Sequence, residues 1–157
     1  MILSFKTKIN NKPTFFVEKI HKALRDYKFN LYGLDPSIHY PKDYNFFVKD
    51  KCLPKLHTIR KDDTNRWEEG KQIDFFINAR QKNMFRFAPR LPVISIQYFG
   101  IFYHNGKPEV NIDGRYLFDS EIEKLALNDG FENTEDFLKY FSEDFNGKIM
   151  HWTDLHY

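Results

Sequence analysis

The chain opens on an alternation. Leu3 and Phe5 fall on one side of an extended segment, and Ile2, Ser4 and Lys6 on the other. That period of two predicts a half-buried strand over residues 2–7. Asn10-Asn11-Lys12-Pro13 is a turn signal. Val17, Ile20 and Leu24 then recur at helical spacing, which predicts a helix capped at Thr14 and running to about Tyr27. From Lys28 to Leu53 the pattern breaks down among Tyr, Asp, Gly33, Pro36 and Pro41. This stretch is expected to be a long loop with room for one short helix, an insertion in an otherwise single domain spanning 1–157.

Beyond it, alternation returns. Residues 55–60 are expected to be extended, and 61–67 to turn into an irregular piece stopped by Gly70. Ile73, Phe75 and Ile77 mark a strand, and Met84 to Phe87 another. Val93 to Tyr103 is a long apolar strand with a bend at Gly100. Asn105-Gly106 predicts a hairpin back along Glu109 to Ile112, and Asp113-Gly114 the next turn. Ser120 to Glu123 matches a capping box before the apolar stripe Ile122, Leu125 and Ala126, and Gly130 suits the helix end. Asn133 or Thr134 starts a last helix carrying Phe137 and Phe141, and residues 147–152 close the chain as a strand. The order predicts an α+β fold, a small twisted barrel decorated by short helices.

Composition narrows the setting. At 157 residues and 41% apolar content, one domain with a real core is expected. The single cysteine, Cys52, excludes an internal disulfide framework and a multi-cysteine metal site. The start, Met1 to Phe5, lacks the apolar run of a signal peptide, and no stretch is apolar enough to span a bilayer, so a cytoplasmic protein is expected. The six histidines form no HExxH-like pairing, and no phosphate-binding glycine loop is visible. Neither a metal nor a cofactor is therefore expected.

Charge is uneven. Residues 78–107 carry five basic side chains and no acid, interleaved with Phe85, Phe87, Tyr98 and Phe99. Cations with aromatics suit nucleic acid, though an amphipathic strand pair gives the same pattern. Residues 119–144 carry nine acids against two lysines, which suits a pair of acidic helices and would also serve a protein-interaction module.

The densest chemistry lies in Lys55-Leu56-His57-Thr58-Ile59-Arg60. On an extended segment His57 and Ile59 share one face, and Leu56, Thr58 and Arg60 the other. An amine, a hydroxyl and a guanidinium in one pocket would hold an anionic or carbonyl-bearing ligand, or activate a nucleophile if the lysine pKa is lowered. The plainer reading is a polar strand with solvated ends. Trp67 and Trp152 are candidates for stacking on a base, with core packing as the alternative.

Taken with Asn65-Arg66-Trp67, Gly70-Lys71, Leu125 to Phe131, Asp136-Phe137 and Gly147 to Trp152, the segment resembles the ASCH domain, a branch of the PUA-like superfamily. The resemblance covers the first helix and then Lys55 onward. It implies a PUA-like pseudo-barrel of five to six strands, with a basic cleft that binds RNA or a modified nucleobase or nucleoside. Arg60, Arg66, Trp67 and Trp152 would be its ligand-binding residues. Some ASCH members resemble amidohydrolases acting on N4-acetylcytidine, and another is described as a ribonuclease. In the amidohydrolase pattern Lys55 matches the base, Thr58 the nucleophile and Asp129 the acid/base partner. Asp129 departs from that pattern, standing where the family has glutamate and so falling short by about one methylene, roughly 1.5 Å of reach.

Overall fold

The computed structural model describes residues 1–27 and 40–157. Of the segment read as an insertion, residues 28–39 lie outside the described residues. The described residues form an α+β structure with four helices and several sheets, none of them closed into a barrel. They divide into two compact units, Met1–Lys55 with Lys71–Pro92, and Leu56–Gly70 with Val93–Tyr157.

In the first unit, β1 (Ile2–Phe5) buries Leu3 and Phe5 and exposes Ile2 and Ser4, as its alternation requires. It pairs with β5 (Gln72–Ile77) in parallel, Leu3 opposite Phe75. A parallel pair cannot be joined by a tight turn. This departs from the hairpin-like links expected from the sequence. Short β6 (Phe85–Arg86) and β7 (Leu91–Pro92) flank β5 antiparallel. Phe5, Phe75 and Phe87 are essentially buried, with ring centroids 5.6–6.0 Å apart.

The Asn10-Asn11 turn joins β2 (Lys8–Ile9) to β3 (Lys12–Pro13) with both asparagines at positive φ, the geometry that hairpin turns favour. Helix α1 (Phe16–Asp26) buries Val17, Ile20 and Leu24. Its N-cap is Phe15 in left-handed geometry rather than Thr14, although the Thr14 hydroxyl, donating to the Lys6 carbonyl at 2.6 Å, also accepts Phe16 N–H at 3.4 Å. Helix α2 (Phe46–Lys51) is the short helix expected in the loop region, capped by the Asn45 side chain on Val48 N–H.

The second unit is one antiparallel sheet in the order β10-β9-β8-β11-β4: Arg115–Tyr116, Lys107–Ile112, Ser95–His104, Phe145–His151 and His57–Arg60. Asn105-Gly106 and Asp113-Gly114 are its hairpin turns, all four residues at positive φ. On one face Ile59, Phe99, Ile101, Val110, Ile112 and Ile149 are buried. Phe137 and Phe141 of the helical region pack there, their rings 6.3 and 5.4 Å from Phe99. Tyr103 ties down the same region, its hydroxyl donating to the Phe141 carbonyl at 2.7 Å.

Helix α3 (Asp119–Asn128) has its N-cap at Phe118, two residues before the Ser120 cap that its sequence signal predicts. Glu121 reaches back to Phe118 N–H at 2.9 Å, and the Phe118 carbonyl accepts Glu121 N–H. Helix α4 (Thr134–Tyr140) is capped by Asn133 on Asp136 N–H at 2.8 Å.

Candidate functional site

Strand β4 is the edge of the second unit's sheet, and its pleat sends neighbouring side chains to opposite faces. His57 and Ile59 look to the helix-covered face. Thr58 and Arg60 look to the other. The register with β11 fixes their company: His57 stands opposite His151, Thr58 opposite Met150, and Arg60 opposite Lys148.

The face carrying Thr58 and Arg60 holds a row across three strands. Arg60 of β4 is opposite Lys148 of β11, which is opposite Tyr98 of β8. Tyr98 is 64% exposed and Arg60 half-buried. The Lys148 amine lies 5.9 Å from the centre of the Tyr98 ring. Two cations directly opposite each other repel, and the conflict is resolved by the loop after β4. Lys148 turns to Asp62 at 3.1 Å and donates to the Trp67 carbonyl at 3.2 Å. Asp62 also accepts the N–H groups of Arg66 and Trp67, each at 3.0 Å. Burial alone would raise its carboxyl pKa. The bonds from Trp67 N–H, Arg66 N–H and Lys148 outweigh that and hold it below the usual range. The 61–67 loop is thus wound around one carboxylate, leaving the Arg66 side chain exposed.

The helix-covered face ends in a different cluster. Leu56 N–H bonds the Asn128 carbonyl at 2.8 Å, which fastens the end of α3 to the start of β4. Asp129, the C-cap of α3, thereby comes within 3.5 Å of His57 Nδ1. His57 Nε2 is 2.7 Å from the Tyr157 hydroxyl, which also accepts from the Asn128 side chain at 2.9 Å. In the tautomer that carries its proton on Nδ1, facing Asp129, His57 Nε2 accepts the hydroxyl proton while the same oxygen accepts from Asn128. Burial, with the Asp129 charge adding to it, pushes the Tyr157 phenol above its ordinary value despite the Asn128 bond, so it stays protonated.

Of the residues expected from the sequence, Thr58, Arg60, Arg66, Trp67, Asp129 and Trp152 lie in the second unit and Lys55 in the first. Asp129 is buried and turned to His57, on the sheet face opposite Thr58. Lys55 is buried in the first unit, its amine 4.7 Å from the centre of the Phe16 ring and its N–H on the Lys19 carbonyl. Trp67 and Trp152 are 3% and 0% exposed, so both rings are core rather than stacking platforms. The stretch of basic residues divides between the two units, and Arg90 is spent on Asp74 at 2.7 Å. Reading the sequence missed Asp62, Gln97 and Tyr157. Gln97 carried a visible signal, being the lone amide in an apolar run.

No helix of the described residues is long and apolar enough to cross a membrane. Among the same residues no group of three or more His, Cys, Asp or Glu could hold a metal ion. No family model matches the chain, and no curated protein or solved structure matches it significantly.

Proposed function

We propose that the chain is an ASCH-type, PUA-like protein that binds RNA or a modified nucleobase or nucleoside, working in the cytoplasm with a PUA-like pseudo-barrel built on the five-stranded sheet. The observation that carries this reading is the Tyr98–Lys148–Arg60 row. It sets the exposed Tyr98 ring in one row with the half-buried Arg60 guanidinium, with Lys148, paired to Asp62, on the strand between them. A base stacks on the ring, and the guanidinium takes the phosphate or a base edge. Arg66, exposed on a loop anchored by Asp62, adds a second guanidinium in the same unit. The strand motif that resembles the family supplies Arg60 to this row, and Lys148 belongs to the family-like closing strand.

Nothing favours the amidohydrolase or ribonuclease reading over binding. A Lys55, Thr58 and Asp129 mechanism needs the carboxylate beside the threonine, because catalytic geometry tolerates only about 1 Å of error. Here the carboxylate addresses His57. The test is a titration of fluorescent single-stranded RNA at rising salt. Phosphate contacts release counterions, so log affinity should fall linearly with log salt, by about 0.7 per contact. Affinity that is absent or indifferent to salt overturns the reading, and the latter outcome would favour a protein-interaction module.

A further inference from the structure

Gln97 is fully buried on the helix-covered face and reads one residue at two points. Its Nε2 donates to the Tyr157 main-chain oxygen at 3.2 Å, and its Oε1 accepts Tyr157 N–H at 3.0 Å. Asp113 orients the carboxamide by accepting from Nε2 at 2.9 Å. The Tyr157 ring sits edge-on to His57, centroids 5.4 Å apart, and 6.0 Å from His151. The segment 153–157 that delivers it has no regular secondary structure.

His151 is the odd member. It is 0% exposed, yet among the described residues neither ring nitrogen has a hydrogen-bond partner. Burial, then its neighbours His57 and His156, push its pKa down to about 3, so it is neutral, with one donor and one acceptor unused. A buried polar group left this way costs free energy that a ligand can recover.

We propose that Tyr157 is an exchangeable occupant of a binding slot, and that the slot's ligand is a planar lactam, a nucleobase of the uracil type. A lactam edge carries an adjacent N–H and C=O, the pair that Gln97 now takes from the Tyr157 backbone. The ring replaces the phenol beside His57 and His151, which stand 5.3 Å from each other. A second carbonyl takes the Asn128 amide, and His151 gains the partner it lacks. The slot lies on the sheet face opposite the Tyr98–Lys148–Arg60 row and needs no phosphate, so it stands or falls apart from the proposed RNA-binding surface.

The experiment is calorimetric and NMR titration with free uracil at high salt, where phosphate-type contacts are silent. A variant lacking Tyr157 loses both the ring and the backbone pair held by Gln97, so uracil should bind it about tenfold or more tighter than wild type. His151 imidazole nitrogen signals should shift on binding. Adding Gln97→Leu should abolish the affinity, and 1,3-dimethyluracil, which keeps both carbonyls but has no N–H, should not bind, whereas 1-methyluracil, which keeps N3–H, should. Should that variant fail to fold, Tyr157→Pro, which drops the phenol and the N–H that Gln97 accepts, carries the same comparison. Uracil that ignores the variant, binds it no better than wild type, or binds as well when both nitrogens are methylated overturns the proposal.

Discussion

Asp62 and Lys148 form an ion pair of 3.1 Å in which the carboxylate is wholly buried and the lysine side chain only 8% exposed. It joins the loop after β4 to the neighbouring strand β11. The same carboxylate holds two loop N–H groups, so the pair organises backbone as well as charge.

Asp62→Asn leaves the Lys148 amine buried and uncompensated, and is expected to lower stability by about 3 kcal/mol. Urea melts measure it. Because the folded Asp62 pKa is depressed, its contribution is full above the unfolded carboxylate value and is lost as pH falls through the folded value. The variant should lack that part of the acid limb. An unchanged limb would mean that the pair contributes no pH-dependent stability.

His151 sets a second pH dependence at higher pH. Its folded pKa is about 3 against an ordinary 6.5, so the unfolded chain takes up the proton first. Stability should be full above about pH 6.5 and decline towards pH 3, at up to about 1.4 kcal/mol per pH unit from this group. The titratable groups around it are His57 on β4, Asp129 at the end of α3, and His156 and Tyr157 after β11. His151→Phe should flatten this window in a series of denaturant melts. A slope that survives the substitution assigns the protons elsewhere.

The row on the opposite face separates two kinds of contact. Arg60→Ala should weaken RNA binding and reduce the salt slope by about 0.7, the value of one phosphate. Tyr98→Ala should weaken binding by about 1–3 kcal/mol and leave the slope alone. Equal slopes for both variants would argue that Arg60 touches no phosphate.

Gly147 on β11 has no room for a side chain. A Cβ built there meets the Arg60 carbonyl of β4 at 2.5 Å, and backbone cannot swing aside as a side chain can. Gly147→Ala should cost about 1–3 kcal/mol and loosen β4 against β11. Amide exchange along His57–Arg60 reads it directly: protection retained there would mean that the strands adjust freely.

The two tryptophans offer a check on the core. Buried as they are, Trp67 and Trp152 should be shielded from acrylamide, and RNA bound on the Tyr98 row should leave their fluorescence unchanged. Strong quenching by bound RNA would return them to the binding surface.

What the sequence determined by itself is local. Alternation placed β1, β5 and β4, and helical spacing placed the buried stripes of α1 and α3. Asn-Gly and Asp-Gly pairs set the hairpins, because only a few residue types tolerate positive φ there. Even the split of the 55–60 segment into a His57 face and a Thr58–Arg60 face followed from a period of two.

Tertiary structure decided which faces meet. The parallel pairing of β1 with β5 joins residues some seventy positions apart, and no local pattern encodes that choice. Asp129 went to His57 because Leu56 N–H takes the Asn128 carbonyl and swings the end of α3 to that side of β4. Lys148 was drawn from the Tyr98–Arg60 row to Asp62 because an unpaired buried cation is too costly to leave. Both tryptophans, legible as stackers or as core, became core once the strands closed over them. Spacing supplies the candidates, and long-range burial and charge pairing choose among them.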